Sequence, residues 1–246
     1  MRHLFVGKVL PERATISVVE IKFAVPSNQD IPPGELFVEI LLSQIAVRFS
    51  CEGEISNLFT LRNLVEDCVR TLLDVAGFYE GHGYDAEISM YINLETSEKY
   101  VFGIDIPKVA GIARESGLEI LDIFGVLANS KTSRLKNALA DLREAIKMPS
   151  DTAFFCYRAI ESLKNQTADE LQIDAKSSEA WDRFRSVYSI DKDAVMSLKS
   201  MADPVRHGSG MNAKGVTDDQ RAEAFRIAWD TVCKFIEKNK LSDPAQ

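Results

Sequence analysis

NLFTLRNLVEDCVRTLLDVAGFY, residues 57–79, is the stretch on which the fold turns. Leu61, Leu64, Val65, Cys68, Leu72, Val75 and Tyr79 recur every three or four residues, which gives a helix one apolar side. Gly77 weakens its last turn, and Gly81 and Gly83 end it, because glycine most easily takes the left-handed turn past a helix end. On either side of this helix the pattern is that of strands. His3 to Val25 is rich in β-branched residues, and Ile16, Val18, Val19, Ile21 and Phe23 suit a mostly buried strand. Pro26 to Gly34 reads as a loop, since Pro32 and Pro33 lack the N–H that a ladder needs. Glu35 to Ser50 reads as one long strand, and Ala86 to Leu94 and Lys99 to Ile106 as two more, joined by a turn at Glu95-Thr96-Ser97-Glu98. The order is β-β-α-β-β, or β-β-β-α-β-β if the first segment splits: an antiparallel β-meander with one helix packed on its inner face.

Beyond this region the periodicity is helical. Pro107 to Asn129, interrupted by Gly111, Gly117 and Gly125, is read as a connection. Leu135, Leu139, Leu142 and Ile146 then mark a helix that Pro149 closes. Ser150 or Asp151 can cap the next, whose inner face is Cys156, Tyr157, Ile160 and Leu163. Further helices are expected at Ser178 to Tyr188, at Lys192 to Met201, and after Thr217, where Thr217 and Gln220 fit a T-x-x-Q capping box. Short connections force neighbouring helices antiparallel, so about five helices make a bundle. The expected fold is α+β, with a β-rich domain over residues 1–127 and a helical bundle over residues 128–246.

With 46% hydrophobic and 27% charged residues the chain has the profile of a globular protein rather than a disordered one. No apolar run approaches the roughly 20 residues that span a bilayer, and Met1 to Leu10 lacks the apolar core of a secretory signal, so a cytoplasmic location is expected. Cys51, Cys68, Cys156 and Cys233 lie far apart without zinc-ligand spacing; the last three fall among apolar helix residues and read as small buried hydrophobes. No metal or cofactor is implied. The net charge of −8 is uneven: residues 1–127 hold 10 Lys and Arg against 19 Asp and Glu, and the remainder 19 against 18. An acidic face repels phosphate, so any contact with nucleic acid falls to the second half.

Three histidines limit where imidazole chemistry can reside. His3 is expected on the surface of the first strand, and His82 lies in a Gly-His-Gly turn. His207 belongs to the polar run Asp203-Pro204-Val205-Arg206-His207-Gly208 between two helices. A guanidinium beside an imidazole can grip a phosphate and move a proton; the plainer reading has Arg206 bonded to helix-end carbonyls or to Asp203, with His207 closing a helix. Ser209 lacks the spacing of a nucleophile elbow, and Gly208, Gly210, Lys214 and Gly215 lack the order of a nucleoside triphosphate loop, although Lys214 remains a candidate phosphate contact. No pair of carboxylates is set in apolar surroundings as glycosidase chemistry would need.

Phe154-Phe155-Cys156-Tyr157-Arg158-Ala159-Ile160-Glu161-Ser162-Leu163, a helix around Trp181, then Val205-Arg206-His207-Gly208 and a long closing helix resemble the HEPN superfamily over residues 131–240. The resemblance implies a four- or five-helix bundle that often dimerises, found in toxins, phage-defence proteins and RNA-processing enzymes, whose active members cut RNA without metal. Their signature is an Arg followed four to six residues later by a His, whereas here Arg206 and His207 are adjacent. Carried over, His207 is the general acid or base at the RNA 2′-hydroxyl, Arg206 stabilises charge on the phosphorane, and Glu161 orients the cluster; Tyr157, Arg158, Asp203 and Lys214 are the candidate binding residues of this chain. Arg158 and Glu161 also suit a plain i, i+3 surface pair.

Two readings follow. In one, the chain is a non-catalytic or weakly catalytic HEPN-like interaction or regulatory module of a phage-defence or toxin system, dimeric through its helical half, with a protein partner for residues 1–127. In the other it is a metal-independent endoribonuclease acting on RNA, or a nucleotide binder, through Arg206 and His207.

Overall fold

In β1 (Arg2–Leu10), β3 (Gly34–Leu41) and β4 (Gln44–Cys51), every second side chain is buried: Phe5 and Val9, then Leu36, Val38 and Ile40, then Ile45, Val47 and Phe49. Side chains on a strand alternate between faces, so this pattern fixes one dry face. Together with β2 (Val18–Val25), β5 (Asp85–Asn93) and β6 (Lys99–Val101) these strands form an antiparallel sheet of order β2-β3-β4-β1-β5-β6. The computed structural model describes residues 1–111, 117–128, 133–207 and 216–240. Among the described residues there are six strands and seven helices. Two units divide them: residues 1–104 with Val216 to Asp218, and the described residues of 105–210 with those beyond Asp218.

The sheet departs from a simple meander, because β1 lies between β4 and β5 and is therefore central. The segment Glu35 to Ser50 is a hairpin rather than one strand: Leu42 and Ser43 turn the chain with φ of 49° and 64°. A two-residue hairpin turn of this kind, type I′, needs φ > 0 at both positions, usually supplied by Asn-Gly. Here neighbouring residues hold a turn that Leu-Ser would not favour alone. Ser43 Oγ donates to Ala14 O at 2.6 Å, Ile16 N–H donates to Ser43 Oγ at 3.2 Å, and Leu42 N–H donates to Ser17 Oγ at 3.0 Å.

One helix, α1 (Leu58–Glu80), covers the dry face of the sheet. Asn57 caps it by accepting from Phe59 N–H at 3.0 Å and Thr60 N–H at 3.2 Å, and Gly81 ends it with φ of 72°. The buried line runs through Leu61, Val65, Val69, Leu73 and Gly77, with Leu64 beside it; Cys68 and Leu72 are half-buried, and Val75 and Tyr79 are exposed. The apolar row expected from the sequence therefore leaves the sheet after Leu72. Gly77 occupies a tight place, since a Cβ there would stand 2.4 Å from His82 O, where the chain folds back over the helix end. Four polar residues of α1 are also buried: Thr60, Arg62, Asn63 and Glu66. Arg62 pairs with Glu66 at 2.9 Å and lies 5.0 Å over the Phe102 ring. Thr60 Oγ1 donates to Asp30 at 2.6 Å and accepts from Asp218 N–H at 3.0 Å, and Asn63 donates to Val216 O at 3.3 Å.

The second unit is helical: α2 (Ile120–Ala128), α3 (Leu135–Lys147), α4 (Thr152–Leu171), α5 (Ser178–Tyr188), α6 (Lys192–Arg206) and α7 (Asp218–Asn239). Its core joins Leu142 of α3, Cys156, Ile160 and Leu163 of α4, Phe184 of α5, Leu198 of α6 and Phe225 and Phe235 of α7. Full burial of such a side chain stabilises by roughly 1.5–3 kcal/mol relative to exposure. The part of the presumed connection from Ile120 onward is a helix, for Gly125 lowers helix propensity without breaking the pattern. The sixth helix of the unit, beyond the expected five, is this one. Helix α6 continues past the expected end at Met201, through Pro204 to Arg206, although the proline lacks the N–H that would bond to the Ser200 carbonyl. Asp151 precedes α4 without a side-chain cap bond. The buried Arg221 closes α3 instead, donating to Ile146 O at 2.8 Å, and Thr152 Oγ1 donates to Ala145 O at 2.9 Å.

Candidate functional site

The polar run singled out in the sequence lies where α6 ends. His207 is the C-cap of α6, its N–H donating to Asp203 O at 3.0 Å, and both Arg206 and His207 are exposed. The helix closure expected of His207 is thus observed, but Asp203 pairs with Lys199, at 2.6 Å, rather than with Arg206. One carboxylate oxygen of Asp203, Oδ1, is buried and has no hydrogen-bond partner among the described residues.

Tyr157 is the common neighbour of this cluster. It is buried on α4, and its phenol lies within electrostatic reach of Glu161, one turn further along α4, and of Arg206 and Asp203 on α6. Burial raises its pKa first of all, Glu161 raises it further, and Arg206 acts in the opposite sense. The ring stacks on Trp181 of α5 with centroids 5.9 Å apart. Lys164, buried one further turn along the same helix, holds its ammonium 5.2 Å over Trp181 and donates to Ala175 O; burial lowers its pKa. Trp181 and Lys164 were not among the site residues read from the sequence. The available signal was the spacing of Tyr157, Glu161 and Lys164, which places them along one side of α4.

Arg158 does not join them. It pairs with Asp141 of α3, its Nε donating at 2.9 Å, and lies 5.4 Å and 4.9 Å from the ring centroids of Phe154 and Phe155. The pair with Asp141 raises the Arg158 pKa. The alternative pair with Glu161 is replaced by this one, because Asp141 is buried and its charge needs a partner more than that of the half-buried Glu161 does. Lys214, with Gly208, Ser209, Gly210 and Gly215, lies outside the described residues.

His3, expected at the surface, is instead buried at 2% exposure. Its Nδ1 is 2.8 Å from the Tyr91 hydroxyl and its Nε2 is 3.8 Å from Cys51 Sγ. The residue falls on the inward register of β1, with Phe5 and Val9. His82 is exposed, 2.8 Å from the Tyr84 hydroxyl. The four cysteines are free; Cys68 is half-buried and its thiol is pushed up to about 12 by burial, which keeps it protonated and unreactive. Among the described residues no three His, Cys, Asp or Glu side chains gather as a metal ion would require, and no helix is long and apolar enough to cross a membrane.

The cluster therefore offers one exposed guanidinium and one exposed imidazole at the end of a helix, beside two carboxylates grouped around a buried tyrosine. Helix C-termini carry partial negative charge, which favours the Arg206 guanidinium where it stands and opposes an anion arriving there. Neither a curated protein nor a solved structure matches the chain. Residues 3–102 match the N-terminal domain and residues 120–240 the C-terminal domain of DUF8168, described as a domain of unknown function, and the chain belongs to that family.

Proposed function

We propose that the protein is a HEPN-like interaction or regulatory module, non-catalytic or weakly catalytic, of the kind used in phage defence and toxin systems. The observation that carries this reading is the electrostatic setting of Arg206 and His207. They stand at the negative end of α6, and Tyr157, the residue that senses Arg206, also senses Glu161 and Asp203. Cations and carboxylates interleave there, Asp203 paired with Lys199 and Glu161 near Arg206, which suits the mixed donors and acceptors of a protein surface better than the uniform charge of an RNA backbone. The helical unit also has an apolar face for self-association, since Ile120, Leu121 and Phe124 of α2 are all exposed.

The alternative, a metal-independent endoribonuclease, is favoured by the exposure of Arg206 and His207, which leaves both side chains open to a substrate. Incubation of the full chain with mixed RNA in EDTA, beside an Arg206→Ala/His207→Ala double variant, separates the two. The module reading expects little or no cleavage by the parent, and so nearly the same RNA profile from both proteins. Cleavage by the parent that the double variant lacks would establish the nuclease instead.

A further inference from the structure

We infer that the outer face of the last turns of α1 is a docking surface for a basic, apolar polypeptide segment of a partner protein. Val75, Phe78 and Tyr79 are spaced i, i+3 and i+4, so they adjoin on one side of the helix, and they are 66%, 92% and 90% exposed. Single exposed apolar residues are ordinary, but two aromatic rings and a valine side by side form the kind of patch that marks an interaction site. Aromatic anchors of this type dominate the energy of many interfaces. They lie on the side of the helix opposite the buried Leu73 and Gly77, the latter covered by the returning chain, with His82 N–H donating to Gly77 O at 2.9 Å.

The charge around the patch specifies the occupant. Asp74 and Glu80 are exposed on the same end of α1, and the last turn of the helix contains no basic residue. Arg70, one turn before Asp74, points away and is held by Asp85 and by Ala86 O. Glu80 accepts from the Tyr84 hydroxyl at 2.5 Å and lies 3.2 Å from His82 Nδ1, which holds the carboxylate at this end of the helix. Acidic residues at a helix C-terminus add to the negative end of its dipole instead of offsetting it. A Lys or Arg from a partner relieves that arrangement, while its methylene stem lies on the Phe78 and Tyr79 rings. Residues 1–104 as a whole hold 8 Lys and Arg against 15 Asp and Glu, so a basic partner is attracted over a longer range as well. A second copy of this unit would instead bring an equally acidic face to the patch. The occupant is therefore a segment in which Lys or Arg alternates with Leu, Ile or Met, as on a basic amphipathic helix. The proposal uses neither Arg206 nor His207, so it stands or falls independently of the RNA experiment.

The test titrates the full chain with a labelled synthetic peptide of about 18 residues, five helical turns, composed of Lys and Leu, and with the same peptide carrying Glu for Lys. Parent, Phe78→Ala/Tyr79→Ala and Asp74→Asn/Glu80→Gln proteins are compared by fluorescence anisotropy. Because these side chains are outside the core, thermal unfolding of all three should coincide closely. The Lys peptide should bind the parent, lose about ten-fold or more in affinity in the aromatic variant, and bind the carboxamide variant less tightly with a shallower dependence on salt. The Glu peptide should not bind. Equal affinity of the Lys peptide for parent and aromatic variant would overturn the proposal, as would no binding at all. Self-association of the parent that the aromatic variant abolishes, seen by light scattering, would assign the patch to a second copy and overturn it too.

Discussion

His3 Nδ1 and the Tyr91 hydroxyl, 88 residues apart in sequence, meet at 2.8 Å inside the sheet, where β1 lies against β5. The imidazole is stacked on the Tyr91 ring with 5.8 Å between centroids and faces Cys51 Sγ on its other side. Burial lowers its pKa below the ordinary 6.5, the N-terminal ammonium lowers it further, and Glu95 opposes them. Below 6.5 the unfolded chain thus binds a proton that the folded chain resists.

The stability contributed by neutral His3 is present in full above pH 6.5 and is lost as the pH falls through the interval down to the lowered folded value. Thermal unfolding of the parent and of His3→Leu between pH 5 and 7.5 measures this. Their difference in Tm should be constant near neutrality and should move against the parent as the pH drops. A difference that stays flat across the range would show that the imidazole does not titrate with folding.

Asp141 is buried and its charge is met by the half-exposed Arg158. Replacing Arg158 by Met keeps an apolar stem near Phe154 and Phe155 but leaves the carboxylate without its cation. After discounting for the solvent around the guanidinium, a loss of about 1–2 kcal/mol is expected in urea unfolding. The double variant Arg158→Met/Asp141→Leu should recover part of it. No loss in the single variant would mean that water serves Asp141 as well as Arg158 does.

Two glycines should respond with opposite signs. A methyl group at Gly77 would press on His82 O from 2.4 Å, so Gly77→Ala should destabilise by about 1–3 kcal/mol. At Gly125, inside α2, an added Cβ meets nothing within 4 Å, and Gly125→Ala should stabilise by about 0.5–1 kcal/mol through helix propensity. Chemical denaturation of both variants decides this, and a stabilised Gly77→Ala would refute the close return of the chain over α1.

Strongly periodic segments could be read directly. Ser178–Tyr188 has the bounds expected from the sequence, as does the start of α1 at its Asn57 cap, because each carries both an apolar stripe and a terminal signal. The hairpin at Leu42 and Ser43 could not be read, since its turn is held by Ala14, Ile16 and Ser17, far away in sequence, rather than by turn-forming residues of its own. The burial of His3 was hidden for a related reason: a histidine's register on a strand gives its face, but only the position of the strand within the sheet makes that face dry. At the candidate site, the nearness of Tyr157 to Glu161 follows from helical spacing, whereas the nearness of Arg206 and Asp203 follows from packing of α6 on α4. The partner of Arg158 was missed because Asp141 belongs to another helix and is distinguished only by being buried.

The charge balance around Tyr157 is tested most directly by the binding of a fluorescent single-stranded RNA to the parent, to Arg206→Ala/His207→Ala and to Glu161→Gln/Asp203→Asn, by anisotropy at several salt concentrations. If the carboxylates around Tyr157 offset the Arg206 charge, the parent and the Ala variant will show equally weak binding at physiological salt, and the carboxamide variant will bind several-fold more tightly, with a steeper salt dependence. Tight binding by the parent that disappears in Arg206→Ala/His207→Ala would contradict this charge balance and make the cluster an RNA site.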